Sequence, residues 1–161
     1  MGCCCYSSYT SNENDFLRVI IFGLENSGKT SLVHCLKTST RIDQASQSIS
    51  THGIIGMNIH LDIQTNLNLL IFDCGGCKHQ RHIWPHLMND SDVILFTIDS
   101  YDETCFSDAK QALFDLLTDE SVVGKPLLII LTKSDQQKKR SIRQLDRILE
   151  LSLIEVDQTI R

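Results

Sequence analysis

The stretch GLENSGKTS, Gly23 to Ser31, decides the fold. It fits the pattern G-x-x-x-x-G-K-[ST]. Directly before it, FLRVIIFG (16–23) reads as a buried strand. After it, Leu32, Val33 and Leu36 share one face of a helix expected from Lys29 to Lys37. A strand that turns through such a loop into a helix surrounds an anion with backbone N–H groups. On that reading Gly23, Leu24, Glu25, Asn26, Ser27, Gly28, Lys29, Thr30 and Ser31 hold nucleotide phosphates. Lys29 would reach the β and γ oxygens, and the Thr30 hydroxyl would ligate Mg²⁺. The bland alternative is a glycine-rich turn that binds nothing.

The rest of the chain supplies the context this loop needs. DVILFTID (92–99) and PLLIILT (126–132) are further apolar runs expected to form core strands. Between them Phe106, Ala109, Leu113, Leu116 and Leu117 have helical spacing. A second helix is expected from about Ser141 to Glu150, with Ile142, Leu145, Ile148 and Leu149 inward. Ile55, Met57, Ile59, Leu61 and Ile63 alternate with polar residues, as in a half-buried strand. A Thr65-Asn66 turn then leads into LNLLIF (67–72), predicting a hairpin. The segment 38–52 is a long polar loop of the kind that tends to carry function. Strands alternating with helices predict an α/β domain of the P-loop NTPase type, a mostly parallel sheet flanked by helices. Ligands of such sheets bind at the carboxyl ends of the strands. Gly23 onward, Asp73 to Cys77 and Thr132 to Asp135 all fall there.

Composition narrows the function. The 161 residues suit one domain with a proper core. A net charge of −5 lacks the basic footprint that general nucleic-acid binding needs, so no nucleic-acid partner is expected. Lys138, Lys139, Arg140, Arg143 and Arg147 are read as the solvated face of a late helix. No apolar run approaches the ~20 residues of a membrane-spanning helix, and no secretory signal is seen at the start. The seven cysteines are therefore expected to be reduced thiols.

TKSD, Thr132 to Asp135, closes the second half of a nucleotide site. Guanine-specific proteins use N-K-x-D after this strand, with the acid accepting bonds from the guanine N1–H and amine. Adenine would leave that carboxylate poorly paired, at a cost of roughly 1–3 kcal/mol. The stem of Lys133 can lie over the base. Thr132 replaces the asparagine and lacks its amide, which is expected to weaken binding.

With GLENSGKTSL, IGMNI, FDCGG, Trp84, DSYDE and GKPLLIILTKSD in hand, the chain resembles an ADP-ribosylation-factor-like (Arf-like) small GTPase over roughly 16–150. The resemblance implies GTP or GDP with Mg²⁺ as ligands and a nucleotide-controlled switch. It also implies an exchange factor, an activating protein or an effector as partner. In the family pattern D-x-G-G-Q, Asp73 holds Mg²⁺ through a water and the Gly76 N–H senses the γ-phosphate. The next residue, usually Gln, orients the attacking water. Here it is Cys77, too short and too weak a hydrogen-bonding group for that task. No catalytic residue is thus intact, and intrinsic hydrolysis is expected to be slow or absent. Ile54 likewise stands where a switch threonine closes over the metal, with Thr51 a poor substitute.

Two rival readings attach to the same stretch. Cys74, Cys77, His79 and His82 lie within nine residues and could form a zinc clip. Cys74-Gly-Gly-Cys77 could be a dithiol redox pair. Neither accounts for the phosphate loop or for TKSD, and His79, His82 and His86 are expected to be merely exposed. A third reading, a non-catalytic scaffold that recruits partners to membranes, is favoured by Ile54 and Cys77.

The ends carry their own expectations. Residues 1–15 read as a flexible arm, and 16–161 as the nucleotide-binding domain. Gly2 is placed for myristoylation, although Tyr6 stands where Ser or Thr is usual. Cys3, Cys4 and Cys5 are candidates for palmitoylation, against a bland reading of incidental thiols. Two acyl groups hold a protein on a membrane where one does not. The arm and VVGKPLLIIL resemble the palmitoylated ciliary subgroup of Arf-like proteins, so the expected location is the cytoplasmic face of a ciliary, Golgi or endosomal membrane. No base-backing motif follows LELSLIEVDQTIR, and the domain is expected to lack the family's last strand and helix.

Overall fold

The computed structural model describes residues 16–38, 53–62, 67–136 and 142–151. The lipidation candidates Gly2, Cys3, Cys4 and Cys5, the loop at 39–52 with Thr51, and the Thr65-Asn66 turn lie outside the described residues. So do Lys138, Lys139 and Arg140, and residues 152–161, on which the expectation about the last strand and helix bears.

Strands β1 (Phe16–Gly23), β2 (Ile54–Asp62), β3 (Leu67–Cys74), β4 (Val93–Asp99) and β5 (Leu127–Thr132) form one sheet. Their order is β2-β3-β1-β4-β5. β1 runs parallel to both β3 and β4, and β4 parallel to β5. Among the described strands only β2 is antiparallel, as the expected hairpin partner of β3. The helices are α1 (Lys29–Thr38), α2 (Trp84–Asn89), α3 (Phe106–Leu117) and α4 (Ile142–Leu149).

Period-two alternation in the central strands sorts side chains to two faces. Ile20 and Phe22 of β1 and Ile94, Phe96 and Ile98 of β4 join Trp84, Met88, Leu113, Leu145 and Leu149 in one core cluster. Val19, Ile21, Ile71 and Leu95 face the other way and meet Val33, with Leu32 and Leu36 of α1 packed on them. Trp84 anchors the first cluster, its ring tilted on Phe22 at 4.7 Å and edge-on to Phe96 at 6.3 Å.

Three expectations about burial are corrected. Ile148 of α4 is exposed, the inward stripe running through Leu145 and Leu149. Ile55 is exposed rather than buried, since β2 is an edge strand. Among the described strands β5 lies at the edge as well, and its Leu128 stands in solvent on the face that α1 covers further along the sheet. The central strands meet the expectation of continuous burial, and the edges do not.

Candidate functional site

Gly23 ends β1 opposite Thr97 of β4. Its φ of +144° and its closeness to that neighbour both require glycine: an added Cβ would lie 2.4 Å from the Thr97 hydroxyl. The chain then turns, with the Ser27 N–H donating to the Leu24 carbonyl at 3.2 Å, and α1 starts at Lys29. Asn26 takes a left-handed φ of +59°, which its short amide side chain tolerates.

Lys29 is buried and donates its ammonium back to the Gly23 carbonyl at 3.2 Å and the Leu24 carbonyl at 2.6 Å. Burial lowers its pKa; Asp73, then Cys74 and Glu25, oppose that fall. The neighbouring Thr30 hydroxyl donates to Asp73 Oδ2 at 2.6 Å. Asp73 is fully buried at the end of β3. A hydroxyl beside a carboxylate is a hard oxygen donor set of the kind Mg²⁺ prefers, so the residues expected to meet the metal fit it.

The glycine segment after Asp73 lies directly on the loop. An added Cβ at Gly76 would come 2.4 Å from the Gly23 carbonyl oxygen and 2.6 Å from the Glu25 nitrogen, so only glycine can stand there. Three bonds hold the segment. The Gly75 N–H donates to the Gly53 carbonyl at 2.9 Å. The Trp84 indole N–H donates to the Gly75 carbonyl at 3.3 Å, and Arg81 Nε to the Gly76 carbonyl at 3.1 Å. The Arg81 guanidinium also sits 5.9 Å from the Trp84 ring centroid.

Cys77 begins the following 3₁₀ turn, Lys78–Ile83, half-exposed, with its Sγ 3.4 Å from His79 Nε2. Cys74 points the opposite way, fully buried in the core cluster with Phe22, Trp84 and Phe96. Burial, reinforced by Asp73, pushes its thiol up to about 12. The two cysteines therefore face different environments. No group of three His, Cys, Asp or Glu side chains among the described residues is placed to hold a metal ion. That removes the zinc clip as drawn from Cys74, Cys77, His79 and His82. His79, His82 and His86 are exposed, as expected.

TKSD meets the loop from the other side. The Thr132 hydroxyl lies 2.7 Å from the Ser27 carbonyl and 3.1 Å from the Ile98 carbonyl, and donates toward both. The threonine thus ties TKSD to the glycine-rich loop with a hydroxyl, despite having no amide. Lys133 adopts φ +54° and pairs with Asp99 at 2.7 Å. Asp135 is exposed at the turn that follows.

The structure brings Gly23 to Ser31, Asp73, Gly76 and Thr132 to Lys133 to one edge of the sheet. Ile54 opens β2 opposite Cys74 with an exposed side chain. Residues not singled out from the sequence support this edge. Thr97 is fully buried, donates to the Phe22 carbonyl at 3.2 Å and lies 2.7 Å from the Ser27 hydroxyl. Its one proton being committed to Phe22, the Ser27 hydroxyl donates to it. A lone hydroxyl inside the apolar run VILFTID was the signal available for it. Arg81 and the Gly53 carbonyl had no comparable signal.

Comparison with known proteins agrees with this geometry. The family model described as the ADP-ribosylation factor family matches residues 5–161. The chain is 30% identical over 143 residues to ADP-ribosylation factor-like protein 1 of Saccharomyces cerevisiae, covering 89% of this chain and 73% of that protein. It is 31% identical over 135 residues to ADP-ribosylation factor-like protein 2 of Arabidopsis thaliana, covering 84% and 69%. Among solved structures, the Arl6 BBS3 small GTPase of Trypanosoma brucei, with bound nucleotide analogue GppNp, superposes with a TM-score of 0.73 at 26% identity. That match covers 87% of this chain and 80% of the other. The mammalian SRP receptor, at 21% identity and TM-score 0.73, shares the fold. With a match that spans nearly the whole sequence and a phosphate loop built as the pattern requires, the chain belongs to the ADP-ribosylation factor family.

Proposed function

We propose that this chain is a guanine-nucleotide-binding switch in membrane trafficking whose intrinsic GTP hydrolysis is slow or absent. One observation carries the reading. Lys29 is held on the Gly23 and Leu24 carbonyls, beside the Thr30–Asp73 pair, with Gly76 against the same loop and Thr132 tying TKSD to it. Family membership implies GTP or GDP and Mg²⁺ as ligands.

In this reading the Lys29 ammonium meets the β and γ oxygens, and the Gly76 N–H faces the γ-phosphate. Asp135 selects guanine, and the Lys133 stem lies over the base. Mg²⁺ would be held by the Thr30 hydroxyl and, through a water, by Asp73; it would neutralise charge on the β and γ oxygens. Cys77 cannot reach and orient a water as a glutamine does, and its thiol is engaged with His79. The cysteine-rich arm at 3–5, with Gly2, would anchor the domain to the cytoplasmic face of a membrane by acylation. No helix among the described residues is long and apolar enough to cross one. The finer assignment, a ciliary trafficking role, is supported by the arm and by VVGKPLLIIL.

A second reading, a scaffold that holds nucleotide permanently or not at all, draws on Cys77 and on Ile54, which brings no hydroxyl to the metal side. Mass spectrometry of small molecules released from the purified, denatured protein separates the two. Bound GDP or GTP supports the switch reading. A protein that carries neither, and takes up neither when GTP and Mg²⁺ are supplied, defeats it.

A further inference from the structure

The DSYD stretch, Asp99 to Asp102, has no role in the site as read above, yet it grips TKSD at two points. Ser100 donates twice to the Thr132 carbonyl, from its N–H at 3.1 Å and its Oγ at 2.6 Å. Asp99 Oδ2 receives the Lys133 ammonium at 2.7 Å, with side chains only 9% and 25% exposed. The other oxygen of that carboxylate is fixed too. It accepts the Tyr101 N–H at 2.9 Å and the Asp102 N–H at 3.3 Å. Asp99 also walls a cleft with Leu24 to Ser27 of the phosphate loop, so its anion is built into the same edge.

Lys133 is where this fixation matters. Its backbone is left-handed, a conformation uncommon for a residue with a side chain. Its four-carbon stem loses rotamer freedom whenever it is ordered. An anion locked by two backbone N–H groups at the tip of that stem orders it before any ligand arrives, which is how preorganisation raises affinity. We infer that Asp99 is a positioning residue for guanine nucleotide: by fixing the Lys133 ammonium it holds the lysine stem as a standing wall of the base site. This rests on the nucleotide-binding reading proposed above. A bare structural link between β4 and β5 would affect folding without acting through Lys133.

The test is the release rate of fluorescent GDP from the full chain, for wild type, Asp99→Asn, Lys133→Met and the double variant, with thermal unfolding read on each. Asparagine keeps an oxygen for the Tyr101 and Asp102 N–H groups, and methionine keeps the stem without its charge. Each single variant is expected to release GDP about tenfold faster, and the double variant no faster than Lys133→Met alone. Release unchanged in Asp99→Asn, or two factors that multiply in the double variant, overturns the inference while leaving nucleotide binding intact. A wild-type chain that holds no guanine nucleotide overturns the underlying reading, and this one with it. Should Asp99→Asn not fold, Asp99→Glu replaces it. The longer side chain moves the carboxylate off the Lys133 ammonium, so release should again quicken about tenfold, and unchanged release is the contrary result.

Discussion

Replacing Thr97 with valine tests whether the phosphate loop is held from below by one buried hydroxyl. The shape is nearly kept, so no cavity opens, but a donor to the Phe22 carbonyl and an acceptor for the Ser27 hydroxyl both vanish. Thr97 is fully buried and Ser27 is 2% exposed, so water cannot readily replace the lost partners. A buried group left unsatisfied costs about 1–3 kcal/mol. Taking about 2 kcal/mol, and about 2–4 °C per kcal/mol for a domain of this size, the midpoint should fall by about 4–8 °C. Urea unfolding followed by circular dichroism measures the change directly. Ser27→Ala in the Thr97→Val background discriminates further. With the second hydroxyl gone only the Phe22 carbonyl still lacks its Thr97 donor, so the double variant should cost less than the sum of the singles. A Thr97→Val midpoint within about 1 °C of wild type, or strictly additive costs, would refute the reasoning.

Other consequences are equally direct. Gly76→Ala forces a Cβ against the loop backbone, so nucleotide retention should be lost and stability should drop by about 1–3 kcal/mol in chemical denaturation. Cys77→Gln should raise single-turnover GTP hydrolysis by about tenfold or more, and equal rates in the two proteins would show that Cys77 is not the limiting defect. On the proposed reading, chelating Mg²⁺ with EDTA should speed nucleotide release, because the Thr30–Asp73 pair would then lose the cation it shares with the phosphates. Cys74 gives a pH dependence. Its unfolded thiol ionises near pH 9.0 while the native thiol keeps its proton to about 12. Between these values the native state binds more protons, so stability falls as pH rises, by up to about 1.4 kcal/mol per pH unit. Below pH 9 the effect is absent. Cys74→Ala should flatten this alkaline slope in urea titrations at pH 8.5 and 10.5.

The sequence by itself determined the elements that depend on local pattern. FLRVIIFG alternates between two sheet faces and ends in a glycine that Thr97 tolerates in no other form, so the strand and its loop were legible from residues adjacent in the chain. The same holds for β4, for α3 with Phe106, Ala109, Leu113 and Leu116 inward, and for TKSD as the end of β5. Burial at the margins was not legible. An apolar run such as PLLIILT reads alike in the centre of a sheet and at its edge, and only the strand order β2-β3-β1-β4-β5 leaves Leu128 exposed. DCGGC shows the same limit. The spacing of Cys74 and Cys77 suggests a pair, but the end of β3 turns one thiol into the core and leaves the other at the surface. Tertiary structure alone decided which distant groups support the loop. Thr97 to Ser27, Thr132 to Ser27, Arg81 to Gly76 and Asp99 to Lys133 are contacts between side chains and partners on different elements or turns. Pattern along a chain reports which face a residue occupies, whereas a hydrogen bond across 70 or 105 positions exists only once parallel strands have brought their carboxyl ends together.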